Sequence, residues 1–242
     1  MRALSAFLLV VALIPGSGVG SPEASTDQRR AIADAMRMIR ASETTLSPVY
    51  APLAEHLTTR LQLAGKQGVG IDIGSGPGTL IVELCKRTML HWINADINPH
   101  FFGYFYELAE RNDVSGRISA IAADVHNLPF RDDYADVIVS RGSYWSWADK
   151  AKAIAEICRV LKPGAVAYVG RGFSENLPLA VARQIRAEQG KNMHYSFKDK
   201  AGELKAVMEK LGIETYRIHH PGAAHGEAIN YGIWIEIRKP PS

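Results

Sequence analysis

Cysteine is scarce in this sequence, with two in 242 residues. Cys85 and Cys158 form no disulfide framework and lack zinc-ligand spacing; both fall in segments of helical periodicity and read as small core residues. An excess of one charge is also missing, since 28 Lys and Arg against 25 Asp and Glu leave a formal net charge of +3. Arg29, Arg30, Arg37 and Arg40 make one end basic, but there is no dense Lys/Arg block of the kind that nucleic-acid binding requires. Repeats, low-complexity tracts and heptads are absent too, which excludes solenoids, collagen-like chains and coiled coils. What remains is 47% hydrophobic and sized for one globular domain with an extension or two.

The apolar strand Val69 to Ile73 runs directly into Gly74-Ser75-Gly76-Pro77-Gly78, and helical spacing resumes from Leu80 to Leu84. Glycines on a strand-to-helix turn let the backbone turn tightly and approach a ligand whose polar end meets free helix amides. The dinucleotide fingerprint would need glycine at position 79, which is Thr79. A second apolar segment, from about His91, ends at Asp96, about twenty positions past the glycines, where such folds hold a ribose diol. Ile118 to Ala123 reads as a third strand ending at Asp124, and Ala135 to Ser140 as a fourth. The alternation of strand and helix predicts an α/β fold, a Rossmann-like doubly wound sheet with helices on both faces.

Three further segments carry a resemblance: Asp124-Val125-His126-Asn127-Leu128-Pro129-Phe130, then Asp136-Val137-Ile138-Val139-Ser140, then Glu156 to Gly164 through Lys162-Pro163. With the glycine turn they make residues 65 to 171 similar to the type 11 subgroup of class I S-adenosylmethionine-dependent methyltransferases, which includes ubiquinone and menaquinone C-methyltransferases. The resemblance implies S-adenosyl-L-methionine as cofactor and methyl transfer to a small-molecule acceptor. It also implies a mostly parallel sheet with an antiparallel C-terminal strand. It places the methionine end of the cofactor at Gly74, Ser75, Gly76 and Gly78, with the strand-borne Asp72 ordering that loop or reaching the amino group. It places the ribose at Asp96 beside Ile97, the adenine at Asp124 and Val125, and Ser140 at the end of the fourth strand. Asp96 also reads as a strand-end acid before Asn98-Pro99, and Asp124 as a cap for the segment after it. A Rossmann-type NAD(P)-binding oxidoreductase and a non-catalytic cofactor-binding module are the alternatives.

The acceptor is expected at the C-terminal strand ends, where Ser140-Arg141-Gly142-Ser143-Tyr144-Trp145-Ser146-Trp147 follows the fourth strand. Arg141 and Arg171 emerge after neighbouring strands and are candidates for a shared anionic-acceptor site, with Tyr144 and Trp145 as its aromatic wall. The aromatic cluster departs from the Asp/Asn-Pro-Pro-Tyr signature of many DNA and protein amino-group methyltransferases. No side chain is assigned as catalytic base and none as metal ligand; His219, His220, His225 and Glu227 lie in a Pro-Gly context that reads as a solvated hairpin loop. His126 is expected to face solvent or its loop.

Residues 65–242 thus form the expected methyltransferase domain, with a substrate cover inserted near 171–198 and a helical extension over 21–64. Helices are expected from Asp27 to Ala41, Pro48 to Leu63, Asn176 to Glu188 and Asp199 to Leu211, and the last strands from Ile213 to Ile218 and Tyr231 to Ile237. Lys162-Pro163-Gly164 reads as the helix exit and the turn into the fifth strand. Residues 1–20 carry an apolar run from Ala3 to Ile14 followed by small residues, a pattern of a signal peptide or membrane tether that suggests export or tethering. Cofactor supply instead favours a cytosolic face.

Overall fold

The computed structural model describes residues 25–189, 196–226 and 229–241. A seven-stranded sheet is ordered β3-β2-β1-β4-β5-β7-β6, formed by β1 (Val69–Ile73), β2 (His91–Asp96), β3 (Ile118–Ala122), β4 (Ala135–Arg141), β5 (Leu161–Gly172), β6 (Tyr216–His219) and β7 (Gly232–Arg238). The first five strands run parallel, while β7 is antiparallel to β5 and to β6. The expected sheet, including its antiparallel end, is therefore present. Strand order reverses between β1 and β4, and their C-terminal ends make the crevice where ligands of such folds bind.

Alternation along the strands assigns each face its own core. Val137, Val139, Val166 and Tyr168 pack on one face with α2 (Ser47–Arg60), α3 (Thr79–Cys85), α4 (Phe102–Glu110) and α6 (Leu179–Glu188). Ile71, Ile138, Ala167 and Val169 pack on the other with α5 (Lys150–Val160) and α7 (Phe197–Lys210). Cys85 of α3 and Cys158 of α5 are free thiols on these opposite faces, and burial pushes each up to about 11. The helical extension is integrated rather than appended: Leu53 and Ala54 of α2 are fully buried against the sheet. α1 (Thr26–Glu43), capped by Ser25, lies against the turn at Pro99–Phe101, where Asn98 Nδ2 donates to Ala31 O at 2.8 Å.

Three boundaries shift for local reasons. Pro178 occupies the N-cap and delays α6 to Leu179. Gly212, at φ 65°, closes α7 while Ile213 N still donates to Met208 O, so β6 starts only at Tyr216. Lys162-Pro163-Gly164 belongs to β5, whose pairing with β4 is irregular between Ala135 and Val137. Among the described residues no helix is long and apolar enough to cross a membrane. The expected segment 1–20, residues 190–195 of the expected cover and Glu227 lie outside the described residues.

His219 departs from the loop reading. It sits on β6, mostly buried, with Nε2 3.1 Å from Glu236 Oε2, in a network where Arg60 Nε of α2 donates to the same carboxylate at 3.1 Å. Pro221–His225 forms a short 3-10 turn.

Candidate functional site

The glycine turn is tied down from the next strand. Gly74 N donates to Ala95 O at 2.8 Å, Gly76 N to Asp96 Oδ2 at 2.7 Å, and Asn94 Nδ2 to Gly76 O at 3.0 Å. Gly76 adopts φ 56° at the cavity surface, a conformation a side chain would strain. Gly78, at φ 74°, serves packing, because a Cβ there would run into the Phe105 ring. Ser140 is buried behind the turn, its Oγ 2.7 Å from Ser143 Oγ, and the Ser143 hydroxyl donates to Ile73 O at 3.1 Å. Ser140 thus couples the end of β4 to the turn without lining the cavity.

Three acids stand in different surroundings. Asp72 on β1 is buried, and its Oδ1 has no hydrogen-bond partner. Burial pushes its carboxyl up to about 7, against the pull of the Ser75 hydroxyl, with Asp96 adding to the rise and Arg141 opposing it. Asp96 Oδ1 accepts from Asn98 N at 2.8 Å, so both of its oxygens already order backbone, and burial raises its pKa against those two bonds. A carboxylate has about four acceptor positions, which leaves capacity for further donors. Asp124 Oδ1 accepts from His126 N at 2.9 Å and from the imidazole Nδ1 at 2.6 Å, and these bonds hold its pKa low. The capping reading of Asp124 is therefore realised, and half of its side chain still faces solvent. His126 faces its own loop through Asp124, accepts from Asp149 N through Nε2 at 3.2 Å, and also lines the cavity.

A cavity of about 670 Å³ opens over this turn. Gly74, Gly76, Asp96, Ile97, Asp124 and Val125 line it together with Arg141, Trp145, Trp147, Arg171 and Phe173. Asp72, Ser75 and Gly78 stand behind the lining. Tyr144, expected in the acceptor wall, is instead core: it is 1% exposed, it meets the rings of Trp145 and Trp147 edge-on, and burial pushes its phenol up to about 12. The wall also takes Met38 of α1 and Leu46 between α1 and α2, which the motifs do not reveal. Met36 and Met38 are large apolar side chains left exposed on that helix.

The two arginines share the cavity but not a face. Arg141 pairs with Gly170 in the parallel register, so it projects with Val139 toward the α2 side. Its guanidinium carbon lies 5.3 Å from the Tyr50 ring centre. Arg171, one residue past Gly170, projects with Val169 to the α7 side, opposite Ile233 of β7. There a second cavity of about 250 Å³, sharing Trp145, Arg171 and Arg186 with the first, is also lined by Lys200, Asn230 and Ile233. Its described lining includes the cations Arg171, Arg186 and Lys200. Lys200 Nζ lies 5.3 Å from the Trp145 ring centre, and the Arg186 guanidinium stacks on Phe173 at 4.3 Å. Among the described residues no His, Cys, Asp and Glu group is arranged to hold a metal ion.

A family model described as a methyltransferase domain matches residues 71–169. The chain is 34% identical over 96 residues to the ubiquinone/menaquinone biosynthesis C-methyltransferase UbiE of Vibrio campbellii, covering 39% of this chain and 37% of that one. It is 31% identical over 131 residues to UbiE of Francisella tularensis, covering 51% and 52%. The matched part thus spans about half or less of these curated relatives. Among solved structures, a Methanococcus maripaludis protein assigned as an S-adenosyl-L-methionine-dependent methyltransferase is 30% identical, with a TM-score of 0.75 over 87% of this chain and 94% of that one. Geranyl diphosphate C-methyltransferase of Streptomyces coelicolor, crystallised with geranyl diphosphate and S-adenosyl-L-homocysteine, shares the fold at 17% identity, with a TM-score of 0.54 over 92% and 86%. These comparisons give no support to the oxidoreductase alternative.

Proposed function

The chain belongs to the class I S-adenosylmethionine-dependent methyltransferases, type 11 subgroup, and from that premise we propose that it transfers the methyl group of S-adenosylmethionine to a small-molecule acceptor with an anionic group. The observation that carries the reading is one cavity joining the glycine turn and its acids to a cationic, aromatic end.

The residues fit the cofactor. The cavity is within the range of roughly 300–1,000 Å³ usual for such ligands. Gly74 and Gly76 present backbone without side chains, Asp96 keeps acceptor positions for a ribose diol, and Asp124 with Val125 forms the edge where a base would lie. Asp72 contributes a buried carboxylate oxygen with no partner, suited to an ammonium. When bound, the sulfonium supplies an electrophilic methyl group, and displacement occurs in line with its carbon–sulfur bond.

The protein's own work is then alignment. Trp145, Trp147 and Phe173 exclude water from an apolar acceptor body, and Arg171 on the β5 end directs an anionic group toward the adjoining smaller cavity. Met38 and Leu46 roof the cavity from the N-terminal helices.

Calorimetry with S-adenosylhomocysteine tests the reading. Binding by the unmutated protein should be severely weakened in Asp96→Ala, which loses a charged acceptor whose hydrogen bonds contribute roughly 1.5–3 kcal/mol each. No detectable binding by correctly folded unmutated protein at millimolar ligand would count decisively against a methyltransferase.

A further inference from the structure

We propose that Arg141 reads the donor rather than the acceptor: its guanidinium binds the carboxylate at the amino-acid end of S-adenosylmethionine, while Asp72 takes the neighbouring ammonium. The inference rests on the methyltransferase reading above and deepens it by naming the part of the donor that each residue recognises.

Sheet register places the two charges together. Asp72 pairs with Val139 across β1 and β4, and Arg141 lies two residues further along β4, so both project from the same face with Arg141 nearer the strand ends. Arg141 enters the cavity beside Gly74 and Gly142, next to the glycine turn. The Arg141 charge is close enough to be felt at Asp72, yet no hydrogen bond or ion pair joins the two side chains.

Each is left unsatisfied. Arg141 Nε is buried with no hydrogen-bond partner, and among the described residues no carboxylate pairs with its guanidinium. Asp72 Oδ1 is buried in the same state. Buried polar groups without partners are costly and uncommon, so a cation and an anion orphaned side by side under a ligand cavity call for one ligand that answers both. An α-amino acid does so, because its ammonium and carboxylate sit on one carbon. The Tyr50 ring centre lies 5.3 Å from the guanidinium carbon, an aromatic neighbour for the cation on this face. Arg171 has no part in this pair, since the strand pleat sends it to the other face.

The test uses two thioether probes, S-adenosylhomocysteine and its decarboxylated analogue S-adenosyl-3-thiopropylamine, which lacks only the carboxylate. Affinities are measured by calorimetry on the unmutated protein, Arg141→Gln and Arg141→Lys, with circular dichroism to confirm the fold. The unmutated protein should prefer S-adenosylhomocysteine by roughly tenfold or more, the factor of one charge-assisted hydrogen bond. Arg141→Gln should bind both probes about equally, and Arg141→Lys, which keeps the charge without the fork, should retain part of the preference. A preference unchanged in Arg141→Gln, or absent from the unmutated protein, overturns the assignment. If the unmutated protein binds neither probe, the methyltransferase reading falls together with this one. Normal binding of both with no preference overturns the Arg141 role alone.

Discussion

Arg141 stands opposite Gly170 in the β4–β5 register, and this single pairing turns Arg171 onto the other face of the sheet. Two arginines that follow adjacent strands and line one cavity therefore address different ends of it. Arg141 faces Tyr50 and Asp72, and Arg171 faces Ile233, Lys200 and Trp145. The structure separates what their sequence positions join.

Arg171 is accordingly expected to act on the acceptor alone. With an acceptor in hand, Arg171→Gln should raise its KM by about tenfold or more, the worth of a lost charge-assisted bond, while kcat stays close to the unmutated value if chemistry is slow relative to acceptor release. S-adenosylhomocysteine affinity should be unchanged in calorimetry. Steady-state kinetics that show no rise in KM, or a matching loss of cofactor affinity, would remove Arg171 from the acceptor site.

Asp72 is expected to make stability and cofactor binding depend on pH in opposite senses. Its carboxyl is raised from an ordinary 3.8 to about 7 by burial, so between those values the folded protein keeps a proton that the unfolded chain has released. That contribution is fully present below the unfolded value and is lost as pH rises toward the folded one. Asp72→Asn cannot ionise, and its stability advantage in urea should grow from about pH 4 to about pH 7 and level off above. Binding of an ammonium needs the ionised form instead. Affinity of the unmutated protein for S-adenosylhomocysteine should fall as pH drops below about 7, and the fall should be absent in Asp72→Asn. Parallel pH profiles for the two proteins would contradict the assignment of this carboxylate to the ligand.

The sheet and the glycine turn were legible because they rest on local signals: apolar strands of period two, glycines where φ is positive, and acids at strand ends. The side of the sheet each functional residue faces was not, because it depends on register across strands distant in sequence, as for Arg141 and Gly170. Tyr144 shows the same limit. An aromatic after a strand reads equally as wall or core, and only its packing between Trp145 and Trp147 decides for core. Asp124 was legible as a cap, and the geometry lets the same carboxylate cap His126 and border the cavity. Leu46 and Met38 carry no motif at all and reach the site only through the packing of α1 and α2.

Glu236 is expected to hold the C-terminal strands to α2. Its Oε2 accepts from Arg60 Nε at 3.1 Å and lies 3.1 Å from His219 Nε2, while Oε1 accepts from Arg238 Nε at 2.9 Å. Glu236→Ala should cost about 1–3 kcal/mol in urea denaturation, less than the 3–5 typical of a fully buried pair because Arg238 is half exposed. Burial raises the Glu236 carboxyl, but Arg238, Arg60 and His219 outweigh it and hold it below 4.5. The contribution is therefore present above pH 4.5 and lost as pH falls through the lower folded value, so the gap to Glu236→Gln should narrow in acid. A gap independent of pH would assign the effect to packing rather than charge.

The segment 1–20 is expected from its apolar run to be a removable targeting or tethering element. The first described helix carries its own start signal: Ser25 accepts from Gln28 N at 3.2 Å, and Asp27 lies in the first turn. Pro15-Gly16-Ser17-Gly18 between the apolar run and that cap has the composition of a connector rather than of core. A protein lacking residues 1–20 keeps the cap, and with it the contact of α1 on the Pro99–Phe101 turn that brings Met38 to the cavity. Its melting temperature and its affinity for S-adenosylhomocysteine should therefore match those of the full chain, while its distribution between membrane and soluble fractions of the cell changes. Intact mass of natively expressed protein discriminates the two forms of the idea: loss of about twenty residues indicates a cleaved signal, and full length in the membrane fraction a tether. A full-length, freely soluble cytosolic species would refute both.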